Sequence, residues 1–182
     1  MLGVLGAFGL AAATGLNAYL PLLIVGLLAR YTDLIVLKAP WSALTHPVVL
    51  IVIGVLLVIE FTVDKIPAVD TVNDVIQTVF RPAAGAILFA ASGNVISNVS
   101  PVLAMVCGLL IAGGVHTAKA VARPAVTAGT LGAGNPVVSL AEDAVSGVTT
   151  FVAIAAPIVI ALLLALAVWL FIRRHNRRNS RA

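Results

Sequence analysis

Charged residues are scarce in this chain: they make up 10% of its 182 residues, whereas hydrophobic residues make up 61%. Soluble domains contain about a quarter charged residues, so this composition excludes an ordinary soluble globular protein. The mean hydropathy of +1.13 is typical of an integral membrane protein. Because each membrane span needs about 20 apolar residues, the chain has room for about five. We predict an all-α integral membrane protein with about five transmembrane helices.

Cysteine and catalytic motifs are nearly absent as well. The only cysteine, Cys107, lies in an apolar run, which excludes a disulfide framework and a metal site built on thiolates. The sequence also lacks the G-x-S-x-G, H-E-x-x-H and phosphate-binding glycine motifs. We therefore expect neither an enzyme nor a cofactor. An intramembrane hydrolase that uses His116 with a carboxylate is the weakest alternative, because no nucleophile accompanies this pair.

Basic residues concentrate at the C-terminal end, where Arg173, Arg174, Arg177, Arg178 and Arg181 have no acid near them. An arginine-rich tail directly after an apolar helix is typical of the positive-inside signal, so it does not require nucleic acid. We predict one polytopic membrane domain over residues 1–172 and a basic cytoplasmic tail over 173–182. With five spans, the N-terminus lies outside.

Some of the predicted helices are irregular. Asn17 and Pro21 lie inside the first apolar segment, so we expect a kink or two half-helices there. Pro82 interrupts the third segment, which therefore either spans the membrane or is re-entrant. A glycine-rich connection precedes the last helix. The predicted spans cover about residues 2–29, 41–63, 67–91, 102–122 and 136–172.

A weak internal repeat relates the third and last segments. Sliding Pro67 onto Pro136, a shift of 69 residues, also aligns Asp74 with Asp143. In both copies, a span that ends in charged residues precedes a helix that begins at proline and carries acids. Repeats of this kind are typical of transporters, so a repeat of helix pairs is our hypothesis.

Most acids share one region with most of the internal cations. Six of the seven acids lie at residues 60–74 and 142–143. Charges at membrane depth are costly unless they are paired or face water, so we predict a polar centre inside the helix bundle. Interfacial salt bridges at the span ends are the alternative. The candidate pathway residues are Asn17, Tyr19, Glu60, Asp64, Lys65, Asp70, Asp74, Gln77, Arg81, His116, Lys119, Arg123, Ser139, Glu142 and Asp143.

Four short stretches of the sequence resemble those of a known family. At "GLNAYLPLL", "EFTVDKIPAVD", "HTAKAVARP" and "GNPVVSLAED", the chain resembles a family of small bacterial membrane proteins called domain of unknown function family 4126. The resemblance covers about residues 14–143. It implies a bacterial cytoplasmic membrane location, and it implies that Asn135 joins the shared polar centre. It implies no activity.

The polar centre favours a transporter or permease for a small polar or charged solute or a lipid headgroup. Coupling to protons fits the carboxylates and His116, which titrates near neutral pH, while Lys119 and Arg123 suit an anionic group. A non-catalytic accessory or assembly subunit is the main alternative. A metal-ion carrier is less favoured, because the nearby cations would repel the metal, and we predict no metal site. The expected partners are the lipid bilayer and either a homo-oligomer or a larger membrane complex.

Overall fold

The computed structural model describes residues 3–64, 66–92 and 100–179, and within these ranges it leaves out the side chains of 67–68, 70–72, 157–168 and 170–179. The described residues form α-helices and one short 3-10 helix, with no strand among them. The helices are α1 (Val4–Leu16), α2 (Tyr19–Tyr31), the 3-10 helix (Trp41–Thr45), α3 (Pro47–Val63), α4 (Pro67–Ala91), α5 (Pro101–Thr130) and α6 (Asn135–Asn179).

Among the described residues, three stretches of helix are long and apolar enough to cross a membrane: Asn73–Ala91 in α4, Pro101–Thr130 in α5 and Asn135–Ala156 in α6. The prediction of an all-α chain with membrane-like helices is confirmed. Five spans are not confirmed, because α1 and α2 have 13 residues each and α3 has 17. A helix of 13 residues is about 20 Å long, shorter than a hydrocarbon core of about 30 Å.

The first apolar segment is divided into two half-helices, as predicted. Asn17 adopts an extended backbone conformation between α1 and α2. Its side-chain Oδ1 accepts hydrogen bonds from the backbone N–H groups of Tyr19 at 3.1 Å and Leu20 at 2.8 Å. These bonds stabilise the start of α2, because the first N–H groups of a helix have no intrahelical partner. Pro21 fits this first turn for the same reason.

Pro82 does not interrupt its helix, contrary to the prediction, and Pro124 also lies inside a helix, beyond the predicted end of its span. The α4 helix continues through Pro82, and α5 continues through Pro124 to Thr130, well beyond the predicted end near residue 122. Membrane-like helices tolerate an internal proline when neighbouring helices hold the chain on both sides, and α4 packs closely on α1 and α5. The turn after α5 is formed by Leu131 and Gly132, both with positive φ, which is a common way to end a helix.

The second predicted span begins later than expected, at Pro47 instead of residue 41. Residues Trp41–Thr45 form the 3-10 helix. His46 then caps α3, since its Nδ1 accepts from the backbone N–H of Val48 at 3.3 Å. Proline at the first helical position favours a start here.

Helices α1, α4 and α5 approach one another through small residues, which we call the glycine seam: Gly15, Gly85, Gly108 and Ala112. A Cβ atom on Gly85 would lie 2.7 Å from the carbonyl oxygen of Gly108, and one on Gly15 would lie 2.6 Å from that of Ala112. Any larger side chain would separate the helices. The seam therefore brings the polar residues of α4 and α5 close to the break between α1 and α2.

The internal repeat stays a prediction. Helices α4 and α6 both begin within one residue of the aligned prolines, and both pack against α1. The aligned carboxylates have different partners, however: Asp74 lies near Arg81 of its own helix, whereas Asp143 accepts from Asn17.

Candidate functional site

Charged side chains are buried in this fold while large apolar ones are exposed. Arg81, at 0% exposure, is the largest of the fully buried side chains described, and Glu60 is 1% exposed. On α3, by contrast, Ile51, Val55 and Val58 are all exposed. Arginine and glutamate are almost never fully buried unless they are paired. The partners of these charges therefore determine what the site can do.

Arg81 binds the acids at the end of α3 and on its own helix. Its Nη2 lies 3.0 Å from Oε1 of Glu60 and 3.5 Å from Oδ2 of Asp64, and its Nη1 lies 3.6 Å from Oδ1 of Asp74. Glu60 and Asp64 are four residues apart, and Asp74 and Arg81 are seven apart, so each pair shares one helical face. The spacing seen in the sequence thus produces this group.

His116 of α5 completes the group as a neutral imidazole. Its Nδ1 lies 3.1 Å from Nη1 of Arg81, and its Nε2 lies 3.1 Å from Oγ1 of Thr78. A guanidinium can only donate, so we assign Nδ1 as the acceptor. The Thr78 hydroxyl donates to the carbonyl of Asp74 at 2.9 Å, so it accepts from Nε2–H. The proton therefore resides on Nε2.

A second group joins α5 to α6. Lys119 Nζ and Arg123 Nη2 lie 3.0 Å and 2.8 Å from the same Oε2 atom of Glu142. The two cations are four residues apart, so they share the face of α5 that meets α6. Glu142 thus neutralises part of two positive charges that would otherwise repel each other.

Asp64 connects the two groups. Its Oδ2 lies 3.5 Å from Arg81 Nη2, 3.6 Å from Lys119 Nζ and 4.0 Å from Arg123 Nη2. Its Oδ1 accepts from Nδ2 of Asn73 at 2.6 Å. We call the whole assembly the ionic network: Glu60, Asp64, Asp74, Arg81, His116, Lys119, Arg123 and Glu142. With neutral His116, it holds four carboxylates and three cations.

The break between α1 and α2 lies against this network. Lys119 Nζ donates to the carbonyl oxygen of Leu16, the last residue of α1, at 3.4 Å. Asn17 Nδ2 donates to Oδ1 of Asp143 at 2.9 Å. The last carbonyls of a helix carry partial negative charge, which a lysine ammonium complements. The half-helix ends and the charged residues therefore form one site.

The remaining predicted residues have less central places. Tyr19 is buried and its ring packs near that of Phe80, with 6.5 Å between centroids. Asn135 is buried at the start of α6, where its Oδ1 accepts from Thr127. Gln77 and Ser139 are buried as well. Lys65 lies outside the described residues, as does the side chain of Asp70.

Three participants were missed from the sequence: Asn73, Thr78 and Ser146. Ser146 donates to the carbonyl of Ala13, near the end of α1, at 2.9 Å. Each missed residue lies three or four positions from a predicted one on the same helix, as Asn73 does from Gln77. Helical spacing from the predicted residues was therefore the available signal.

Within the part of the chain that the structure describes, no three His, Cys, Asp or Glu side chains are placed to hold one metal ion. This gives no support to the metal-carrier hypothesis. The arrangement instead suits two kinds of chemistry: exchange of a proton with a buried carboxylate, and binding of a charged group at the ion pairs.

Comparison with known proteins identifies the family. A family model described as "Domain of unknown function (DUF4126)" matches residues 4–177, which include all six α-helices almost completely. No curated protein and no solved structure matches the chain. Because the match extends over most of the chain, the protein belongs to the DUF4126 family.

Proposed function

We propose that this protein is a small membrane transporter or permease whose pathway passes through the ionic network at the α1–α2 break. One observation carries the proposal: the ends of a divided helix bind buried charged residues, through Lys119 to Leu16 and through Asn17 to Asp143. Discontinuous helices of this kind place backbone dipoles at the substrate and ion sites of known transporters.

The distribution of side chains supports a membrane setting. Exposed valine and isoleucine residues on α3 and a buried charged interior are the reverse of the pattern in water. In a bilayer, the apolar faces would contact lipid, and ionisable groups would face the interior of the bundle. We place the protein in a bacterial cytoplasmic membrane, with the N-terminus outside and the C-terminus in the cytoplasm.

The expected cargo is a small polar or charged solute, or a lipid headgroup. Glu60 supports coupling to protons, since it is fully buried and its Oε2 has no hydrogen-bond partner among the described residues. Burial disfavours the charged form of a carboxylate, and Arg81 favours it. The free-energy cost of the charged form would therefore rise if Arg81 moved away. Binding of a solute and binding of a proton would then influence each other.

The test is transport by the full chain in proteoliposomes that contain a pH-sensitive dye. Four probes of different charge are added in turn: inorganic phosphate, succinate, choline and glycine. We expect one of them to produce a pH change that is absent from empty liposomes and is lost in Glu60→Gln and Asp143→Asn. The matched control is Asp33→Asn, because Asp33 is an exposed acid outside the network.

Two results would contradict the proposal. One is the absence of any probe-dependent signal from folded, reconstituted protein. The other is a signal that Glu60→Gln and Asp143→Asn leave as strong as Asp33→Asn does, because transport would then use neither the network nor the contact between Asn17 and Asp143.

An accessory or assembly subunit is the second candidate, and one observation favours it. Arg81, Lys119 and Arg123 each have a carboxylate oxygen within 3.0 Å, so the network could serve only to join the helices. Native mass spectrometry of gently extracted protein tests this alternative. A protein partner in fixed stoichiometry, together with silent proteoliposomes, would favour the subunit over the transporter.

A further inference from the structure

We propose that Arg81, Lys119 and Arg123 form a binding site for a singly charged phosphate oxyanion, and that the Asp64 carboxylate takes the place of this anion in the present structure. The inference rests on the proposed function, because it names the class of substrate for the same network. The phosphate could belong to a free solute or to a lipid headgroup, and the chemistry of recognition is the same for both.

The first support is convergence on one atom. Three cations from two helices lie within 4.0 Å of the single oxygen Oδ2 of Asp64. Arginine and lysine side chains gathered around one oxygen are the usual means of binding phosphate or carboxylate groups. The position of Asp64 Oδ2 therefore marks where an oxygen of an anionic ligand would be most strongly attracted.

The second support is that the cations hold Asp64 less closely than they hold Glu60 and Glu142, although Oδ1 of Asp64 also accepts from Asn73 at 2.6 Å. Its distances to the cations are 3.5 Å, 3.6 Å and 4.0 Å, whereas Glu60 and Glu142 lie 2.8–3.0 Å from theirs. Asp64 is also the residue that follows the last turn of α3. Withdrawal of its side chain would therefore break the hydrogen bond from Asn73 without unwinding α3, while Glu60 and Glu142 would keep the cations in place.

The third support is an unused donor. The Nε of Arg81 is buried and has no hydrogen-bond partner among the described residues, although the side chain is fully excluded from solvent. A buried donor without a partner is costly, so it favours a ligand that can accept from it. A phosphate has more acceptor oxygens than the carboxylate it would replace, and it can satisfy several donors at once.

Charge balance decides how much negative charge the ligand carries. Withdrawal of Asp64 would remove one negative charge from beside Arg81, Lys119 and Arg123. A ligand with one negative charge restores the original balance, whereas a dianion adds a further charge in a buried place, where charge is costly. We therefore expect dihydrogen phosphate or a phosphodiester to be preferred.

The experiment measures binding separately from transport. The full chain is held in maltoside detergent micelles, which contain no phosphate group, and inorganic phosphate is titrated at mildly acidic pH by isothermal calorimetry. In a second arm, phosphatidylglycerol is added to the micelles, and its retention on the protein is measured by native mass spectrometry. The variants are Asp64→Asn and Lys119→Gln, and the matched controls are Asp33→Asn and Lys38→Gln, whose parent side chains are exposed.

We expect one probe to bind, to bind several-fold more tightly to Asp64→Asn, and to bind several-fold more weakly to Lys119→Gln, with both controls unchanged. Asp64→Asn removes the competing charge but keeps the size of the side chain. If Lys119→Gln does not fold, Lys119→Arg, which keeps the charge, should retain binding. Calorimetric binding identifies a free phosphate as the ligand, and retention in the lipid arm alone identifies a headgroup.

Two outcomes overturn the inference: neither probe binds to the folded protein, or binding does not respond to Asp64→Asn. These outcomes differ from failure of the proposed function. Silent proteoliposomes with the expected binding pattern would refute transport and keep the anion site. Glu60-dependent transport of choline without binding of either phosphate probe would support transport and refute the anion site.

Discussion

The glycine seam and the ionic network join the same two helices, α4 and α5, by opposite means. In the seam, the absence of side chains at Gly85 and Gly108 lets one backbone approach the other. In the network, long charged side chains such as Arg81 and Lys119 extend from the same helices to carboxylates on α3 and α6. One region depends on shape, and the other depends on charge.

The difference separates stability from function. Close packing of small residues stabilises helix association directly, without charge. A buried ion pair contributes little net stability, because removing its charges from water offsets much of their attraction, and apolar replacements are often equally stable. The seam accounts for why α1, α4 and α5 stay together. The network supplies the buried charges that the proposed binding and transport would use.

The strongest test of this comparison is removal of one buried charge. Arg81→Met should destabilise the protein by about 3–5 kcal/mol, because Glu60 and its neighbours lose the cation that compensates them. Thermal unfolding in detergent, followed by size-exclusion chromatography, measures the loss.

The double variant Arg81→Met with Glu60→Met sharpens this result. It should recover a large part of the lost stability, since it removes the unpaired carboxylate together with the arginine. Unchanged stability in Arg81→Met alone would show that Arg81 does not compensate the charge of Glu60, contrary to the 3.0 Å distance between them.

The next test concerns the seam. Gly108→Ala should cost about 1–3 kcal/mol through overpacking, because the new Cβ would meet the carbonyl oxygen of Gly85 and lie 2.6 Å from Cβ of Phe89. Gly114→Ala on the same helix is the matched control, since a Cβ there meets nothing within 4 Å.

The same unfolding assay compares the two glycine variants. The control should be neutral or slightly more stable, because alanine favours helices over glycine. Equal melting temperatures for Gly108→Ala and Gly114→Ala would refute close packing at the seam.

The smallest expected effect lies where the two regions meet, at Asn17. Asn17→Ala should cost about 0.5–2 kcal/mol, because it removes the oxygen that caps α2 and the amide that donates to Asp143. Asn17→Asp keeps the capping oxygen but places a second carboxylate beside Asp143.

Comparing the two variants in the transport assay separates the role of Asn17 as a helix cap from its contact with the Asp143 carboxylate. Asn17→Asp keeps the cap but should be less stable than the parent chain, because it buries a second carboxylate beside Asp143, and it should impair transport if the contact with Asp143 is used. Normal transport in Asn17→Asp would indicate that Asn17 is only a helix cap.

Much of the helix-level organisation could be read from local chemistry. Gly15, Asn17 and Pro21 lie within seven residues and predict a broken helix, since all three residue types disfavour a continuous one. Pro47, Pro67, Pro101 and Pro136 lie at the starts of helices, where proline fits. Pro82 and Pro124 carry the same local signal and still lie inside helices. Contacts with neighbouring helices decide whether a proline begins a helix or lies inside one, and a short stretch of sequence does not contain those contacts.

By itself, the sequence determined that the chain is helical and apolar, because composition and helical periodicity are local properties. It also showed that most acids and internal cations fall in two stretches, 60–81 and 119–143. Only the tertiary structure decided the pairing. Asn17 meets Asp143 across 126 positions, Asp64 lies among cations of two other helices, and His116 lies between Arg81 and Thr78. Such choices depend on how closely the helices approach, and the glycines that permit this approach do not reveal in the sequence which helix they will face.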